Sequence, residues 1–165
     1  MAMHTWFECK IRYEKTMENG MQKKVTEPYL VDALSFTEAE ARIIEEMTPF
    51  ISGEFTVSDI KRANYSELFP SDEESADRWF KCKLVFLTLD ENSGAEKKTS
   101  TQVLVQAADL RDAVKKLDEG KKGTMADYQI ASVADTAIMD VYPYAVDKSI
   151  TDTISENANS PVVRN

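Results

Sequence analysis

Apolar and polar positions alternate over two short stretches of this chain, Trp6 to Lys15 and Trp79 to Leu89. A period of two is the signature of a strand with one buried face. In the first stretch Phe7, Cys9, Ile11 and Tyr13 alternate with Trp6, Glu8, Lys10 and Arg12. In the second, Phe80, Cys82, Leu84 and Phe86 alternate with Trp79, Lys81, Lys83 and Val85. Glu18-Asn19-Gly20 and Asn92-Ser93-Gly94 follow as turns, because Asn and Gly tolerate positive φ. Residues 22–33 and 96–107 return as second strands. Pro28 has no amide donor, so it belongs where the ladder does not need one. The period then becomes helical. Phe36, Ala39, Ile43 and Met47 share one face, as do Leu110, Ala113, Val114 and Leu117. Ser35-Phe36-Thr37-Glu38 reads as a capping box and Asp109 as the equivalent N-cap. Ser52-Gly53 and Gly120 are stop signals. A third strand begins at Glu54 and again at Asp127, each with an irregular second part before a proline, Pro70 or Pro143.

The order of these elements is the same twice over. Trp6-Phe7-Glu8-Cys9-Lys10-Ile11 recurs as Trp79-Phe80-Lys81-Cys82-Lys83-Leu84, Lys23-Lys24 as Lys97-Lys98, and Leu68-Phe69-Pro70 as Val141-Tyr142-Pro143. Two copies are too few for an open solenoid. They predict a pseudo-twofold pair, in which each copy leaves its apolar face incomplete alone. The fold class expected is α+β: a two-layer sandwich of a mostly antiparallel sheet with two helices on one face, built from a tandem β-β-α-β duplication. The third strand is expected beside the first and antiparallel to it. Residues 3–145 form this single domain, with repeat 1 at about 5–70, an acidic linker at 71–78 and repeat 2 at about 79–145. From about Val146 the pattern is lost, and 146–165 reads as a mobile tail.

Composition narrows the chemistry. The chain has 165 residues and a formal charge of −9, and neither half is basic, which disfavours generic binding to phosphate backbones. No apolar run approaches the ~20 residues of a membrane span, so no membrane partner is expected. Cys9 and Cys82 read as reduced thiols of a cytoplasmic protein, and His4 is the single histidine. Two cysteines and one histidine do not make a structural zinc site, and no cofactor is implied. The phosphate-loop, HExxH, GxSxG and CxxC patterns are missing, so no catalytic residues are assigned and an enzyme is not expected.

The sheet face away from the helices offers the first candidate surface. Trp6 and Trp79 fall there, and so do Leu30 and Leu104 in the inferred register. Trp6, Leu30, Trp79 and Leu104 would form an apolar patch for a protein partner or for self-association. Against this stands the plainer alternative that each Trp packs beneath its own hairpin or the linker. Lys23, Lys24, Lys97 and Lys98, with the nearby aromatics, are candidate contacts for single-stranded nucleic acid. Their plainer role is to solvate strand starts and block edge pairing. Glu38, Glu40, Glu45 and Glu46 on the first helix contrast with Arg111, Lys115 and Lys116 on the second. Such charges can orient a partner, and more often they solvate a helix.

The opening Trp6-Phe7-Glu8-Cys9-Lys10-Ile11-Arg12-Tyr13, the segment running from Glu27-Pro28-Tyr29 through Phe36-Thr37-Glu38-Ala39-Glu40, and the closing Tyr142-Pro143 carry a resemblance. Together they resemble a domain-of-unknown-function family of gut anaerobic bacteria and of their phages and mobile elements. The resemblance spans residues 3–145. It implies a phage-linked context, no known activity and no site residues. The function expected is a non-enzymatic binding, adaptor or regulatory protein, with a single-stranded nucleic-acid binder as the alternative.

Overall fold

The computed structural model describes residues 5–123 and 127–144. His4 and the tail expected at 146–165 lie outside the described residues. In chain order the elements are β1 (Trp6–Thr16), β2 (Gln22–Asp32), α1 (Phe36–Met47), β3 (Phe55–Ala63), β4 (Glu67–Phe69), β5 (Arg78–Leu89), β6 (Glu96–Ala107), α2 (Leu110–Gly120), β7 (Tyr128–Asp135) and β8 (Val141–Tyr142). The protein is α+β, with two helices and mostly antiparallel strands. The strands build two four-stranded sheets where one had been expected, in the orders β3-β1-β2-β8 and β4-β6-β5-β7. Two compact units result. The first runs to Ala63 and resumes at Asp140, and the second is Asn64–Met139.

Within the first unit, β1 pairs with both β2 and β3 in antiparallel register, as the tight hairpin turn and the helical connection lead one to expect. Phe7, Cys9 and Ile11 of β1 join Val31, Ala33, Ala39, Ile43 and Met47 in a buried core under α1. The second unit repeats this with Phe80, Cys82 and Leu84 against Val103, Val105, Ala107, Ala113 and Leu117. Even the irregularity is repeated. The β1–β3 register shifts between Lys10 and Ile11, and the β5–β7 register shifts at the equivalent Lys83 and Leu84. A bulge adds one residue to one strand and sharpens its twist. Finding it at the same place in both units marks the copies as one design.

The helix starts follow the sequence. Ser35 Oγ accepts the Glu38 N–H at 3.1 Å, and the Glu38 carboxylate accepts the Leu34 N–H at 2.6 Å. The capping box therefore closes one residue upstream of the N-cap. In α2, Asp109 accepts the Asp112 N–H at 2.8 Å and Asp112 accepts the Ala108 N–H at 2.9 Å. Each cap is worth about 1 kcal/mol. Gly20 and Gly94 adopt φ of +83° and +75° in the two hairpin turns, which a side chain would strain. Pro28 sits where its missing donor costs nothing. The Leu30 N–H points away from β1 to the Asp140 carbonyl at 3.0 Å, and Pro28, two residues earlier, shares that orientation.

The division into two sheets has a length argument behind it. β4 runs parallel to β6, with Glu67 level with Val103, and β8 runs parallel to β2. For β4 to close its own repeat it would have to lie on the outer edge of β2, with Glu67 level with Tyr29. That edge is three strand spacings from β3, about 14 Å sideways. Ala63 lies level with Trp6 and Asp32, so the chain would also have to run back by about 10 Å. The direct line is then about 17 Å and passes through β1 and β2. Four extended residue steps, from Ala63 to Glu67, reach only about 14 Å. The chain therefore gives β4 to the sheet of the second unit, and β8 completes the sheet of the first. Sequence periodicity names the faces of a strand and not the edge it will join, so one continuous sheet was the simpler expectation. The segment 71–78 is likewise more than a spacer, since Ala76 is buried and Glu73 pairs with Lys116 at 3.0 Å.

Two predictions follow from this packing. A Cβ at Gly120 would sit 2.6 Å from the Phe69 ring, so α2 ends on glycine because β4 lies against it. Gly120→Ala is expected to lower the unfolding free energy by about 1 kcal/mol or more in urea titration. In a Phe69→Ala background the same substitution is expected to be neutral or stabilising, and an unchanged cost there would refute the contact. The second concerns the thiols. Burial, helped by the nearby Glu8 charge, pushes the Cys9 thiol from 9.0 up to about 12, and burial pushes Cys82 up to about 11. The unfolded thiols ionise above pH 9.0 while the folded ones hold their protons. Their contribution to stability is thus complete below pH 9.0 and is lost as pH rises toward 11 and 12. Denaturant midpoints are expected to fall across this range, and to fall less steeply in a Cys9→Ala/Cys82→Ala variant.

Candidate functional site

The inferred register placed Trp6, Leu30, Trp79 and Leu104 correctly on the face away from the helix. Leu30 lies opposite Glu8 and Leu104 opposite Lys81, on the same side as the tryptophans. They are not a surface, however. Trp6 and Trp79 are each 5% exposed, and Leu30 and Leu104 are 0% exposed. The proposed partner patch is corrected to interior. Charged neighbours such as Glu8 and Lys10 made this face look solvated, but both are themselves half-buried, as long side chains with apolar stems can be. The buried rings offer no face on which a nucleic-acid base could stack.

Lys23, Lys24, Lys97 and Lys98 are exposed on the outer halves of the hairpins. Lys23 lies opposite Lys15 and Lys24 opposite Glu14, whereas Lys97 and Lys98 lie opposite Thr88 and Leu87. β8 pairs only with Leu30 and Val31, and β4 only with residues 103–105. Among the described residues, no strand covers the outer side of β2 or β6 beside these lysines. They stand where an open edge needs charge to block further pairing.

The first unit has an open groove of about 880 Å³ between the outer half of the β1–β2 hairpin, the end of α1 and the start of β3. Tyr13, Ile44 and Phe55 give it an apolar lining, and Arg12, Lys24, Glu14 and Glu54 line it with charge. Beside it, Glu27 accepts the Tyr13 hydroxyl at 2.9 Å and the Tyr29 hydroxyl at 3.3 Å, with Lys15 at 3.5 Å. Burial, then the Glu27 hydrogen bond and charge, pushes Tyr13 up to about 12. Burial and Glu27 also push Tyr29 upward. Burial, Asp140 and Glu46 push Tyr142, whose ring stacks on Tyr29 at 6.2 Å, up to about 12. These phenols remain protonated donors at neutral pH. The equivalent positions of the second unit are Phe86, Thr101, Val103 and Phe69, so this polar cluster belongs to one copy.

Sequence reasoning missed a pair of clasps. Arg42 donates to the backbone carbonyls of Asp32 and Pro143, the latter at 2.9 Å, and its guanidinium lies 5.2 Å from the Tyr144 ring centre. The Tyr144 hydroxyl donates to Glu38 at 2.7 Å. The Leu34 N–H, then this hydroxyl, holds the Glu38 carboxyl below its usual range. At the equivalent place in α2, Lys116 reaches Ser71 at 3.0 Å, Asp112 at 3.1 Å and Glu73 at 3.0 Å. In each helix a base grips the residues after the short strand, with an acid one turn earlier; in α1 that acid, Glu38, also takes the Tyr144 hydroxyl, whereas in α2 Asp112 braces Lys116. The repeated Pro70 and Pro143 were the available signal, since they mark where those strands end.

Among the described residues, no three His, Cys, Asp or Glu side chains gather to hold a metal ion, and no helix is long and apolar enough to cross a membrane. A search of curated proteins finds no match. A family model does match, over residues 5–144, which takes in both units and both clasps. The chain belongs to the family described as Domain of unknown function (DUF4494).

Proposed function

We propose that this chain is a non-enzymatic binding or regulatory protein of the cytoplasm, of phage or mobile-element origin, that holds a protein partner in the groove of its first unit. The observation that carries this is the exposure of Ile44, 41% open to solvent at the end of α1, beside the half-buried Tyr13 and Phe55. An apolar floor bordered by two cations and two carboxylates suits a polypeptide, which presents both signs of charge. A polyphosphate would meet repulsion from Glu14 and Glu54. The non-enzymatic part is supported by the state of the reactive groups. Both thiols are buried and held protonated, and the Tyr13 and Tyr29 hydroxyls are committed to Glu27. The phage-linked and cytoplasmic parts rest on the sequence resemblance and on the two unpaired thiols.

The test is a comparison of variants as bait in extract from phage-infected anaerobic bacteria. Ile44→Glu is expected to lose a protein that the wild type captures, with affinity down about tenfold or more. Leu110→Glu, at an exposed position of the second unit, is expected to retain it. Equal capture by all three baits overturns the groove. Salt-sensitive binding of single-stranded DNA by the wild type would favour the nucleic-acid alternative.

A further inference from the structure

The chain carries two examples of one recognition event. In the first, β8 adds parallel to β2, with Val141 level with Leu30 and Tyr142 level with Val31. In the second, β4 adds parallel to β6, with Leu68 level with Leu104 and Phe69 level with Val105. Each inserted strand ends on an apolar residue and an aromatic residue and is followed by proline. Each aromatic ring packs against the core of the unit it joins, Tyr142 in the first and Phe69 in the second. Each is followed by a residue gripped from the helix, Pro143 by Arg42 and Ser71 by Lys116. The proline fits the end of such a strand, because it brings no donor to an edge that stops there.

We propose that each repeat is a self-complementary binding module, carrying one donor strand and one receiving edge, whose partner is a second copy of the repeat. The covalent linker then serves to keep the two copies at high local concentration. The strand exchange, and not the chain connection, holds them. This inference is independent of the groove, which lies in one unit and takes no part in either strand addition.

The test keeps the whole chain and cuts it after folding. A protease site is inserted between Glu74 and Ser75, in the exposed turn of the linker. Cleavage leaves β4 on the first fragment and β8 on the second. The cleaved protein is expected to elute as one particle of the intact size at about micromolar concentration. Separation of the fragments under those conditions overturns the proposal. A second arm distinguishes the exchanged strands from any other contact. Phe69→Ala or Arg42→Met, made in the cleavable chain, is expected to weaken fragment association by about tenfold or more. Circular dichroism of each uncut variant checks that it folds. If the cut variants hold together as tightly as the unsubstituted chain, the strands are not what joins the repeats, and the proposal fails.

Discussion

The connection between β3 and β4 is too short for the fold that each repeat would form by itself. Three residues separate Ala63 from Glu67, and they cannot carry the chain across two strands to the far edge of its own sheet. The rest of the architecture is a consequence. β4 joins β6, the receiving edge on β2 is left for β8, and each sheet contains strands from both copies. The same constraint explains why α2 ends on Gly120, where the Phe69 ring arrives, and why α1 and α2 carry Arg42 and Lys116 at equivalent positions. A strand of two or three residues brings few ladder hydrogen bonds. Side-chain grips beyond its end supply the missing anchorage.

Burial on both faces of the sheet centres sets the chemistry. A strand that buries only one face can spend its other face on charged or aromatic recognition groups. Here Phe7 and Trp6, adjacent in sequence and opposite in direction, are both buried. So are Phe80 and Trp79. Surface chemistry is therefore displaced to the outer halves of the hairpins and to the helix ends. That is where Lys23, Lys24, Lys97 and Lys98 lie, and where Ile44 is exposed. The thiols, lying deep on the helix side, are small apolar core members.

Much of this was legible from residue order. The strands, both hairpin turns, both caps and the antiparallel β1–β3 pairing follow from period, turn chemistry and connection length. The assignment of Trp6 and Leu30 to one face was also legible, because side-chain direction alternates strictly. Whether that face meets solvent was not, because Glu8 and Lys10 have the same letters whether their stems lie flat over apolar surface or extend into water. The clasps were hidden for a related reason. Arg42 is one of many charges on an amphipathic helix, and its partners are backbone carbonyls, which every residue possesses. The groove is also invisible in order alone, because its walls come from three elements separated along the chain.

A duplicated fold provides an internal comparison. Positions that must be alike for the exchange to work are alike in chemistry: Leu68 and Val141, Phe69 and Tyr142, Pro70 and Pro143, Lys116 and Arg42. Positions around the outer hairpin differ instead. Tyr13, Glu27 and Tyr29 in the first unit correspond to Phe86, Thr101 and Val103 in the second. Folding cannot require the polar set, because the second unit builds the same register and the same bulge without it. A half-buried carboxylate satisfied by two phenols is costly to desolvate and gives the first unit nothing topological that the second lacks. What it gives is a polar wall beside the apolar groove, with both phenol donors spent on Glu27. The divergence between copies therefore falls beside the groove that the hairpin and the helix end line in the first unit, and not in the core whose pattern the two copies share.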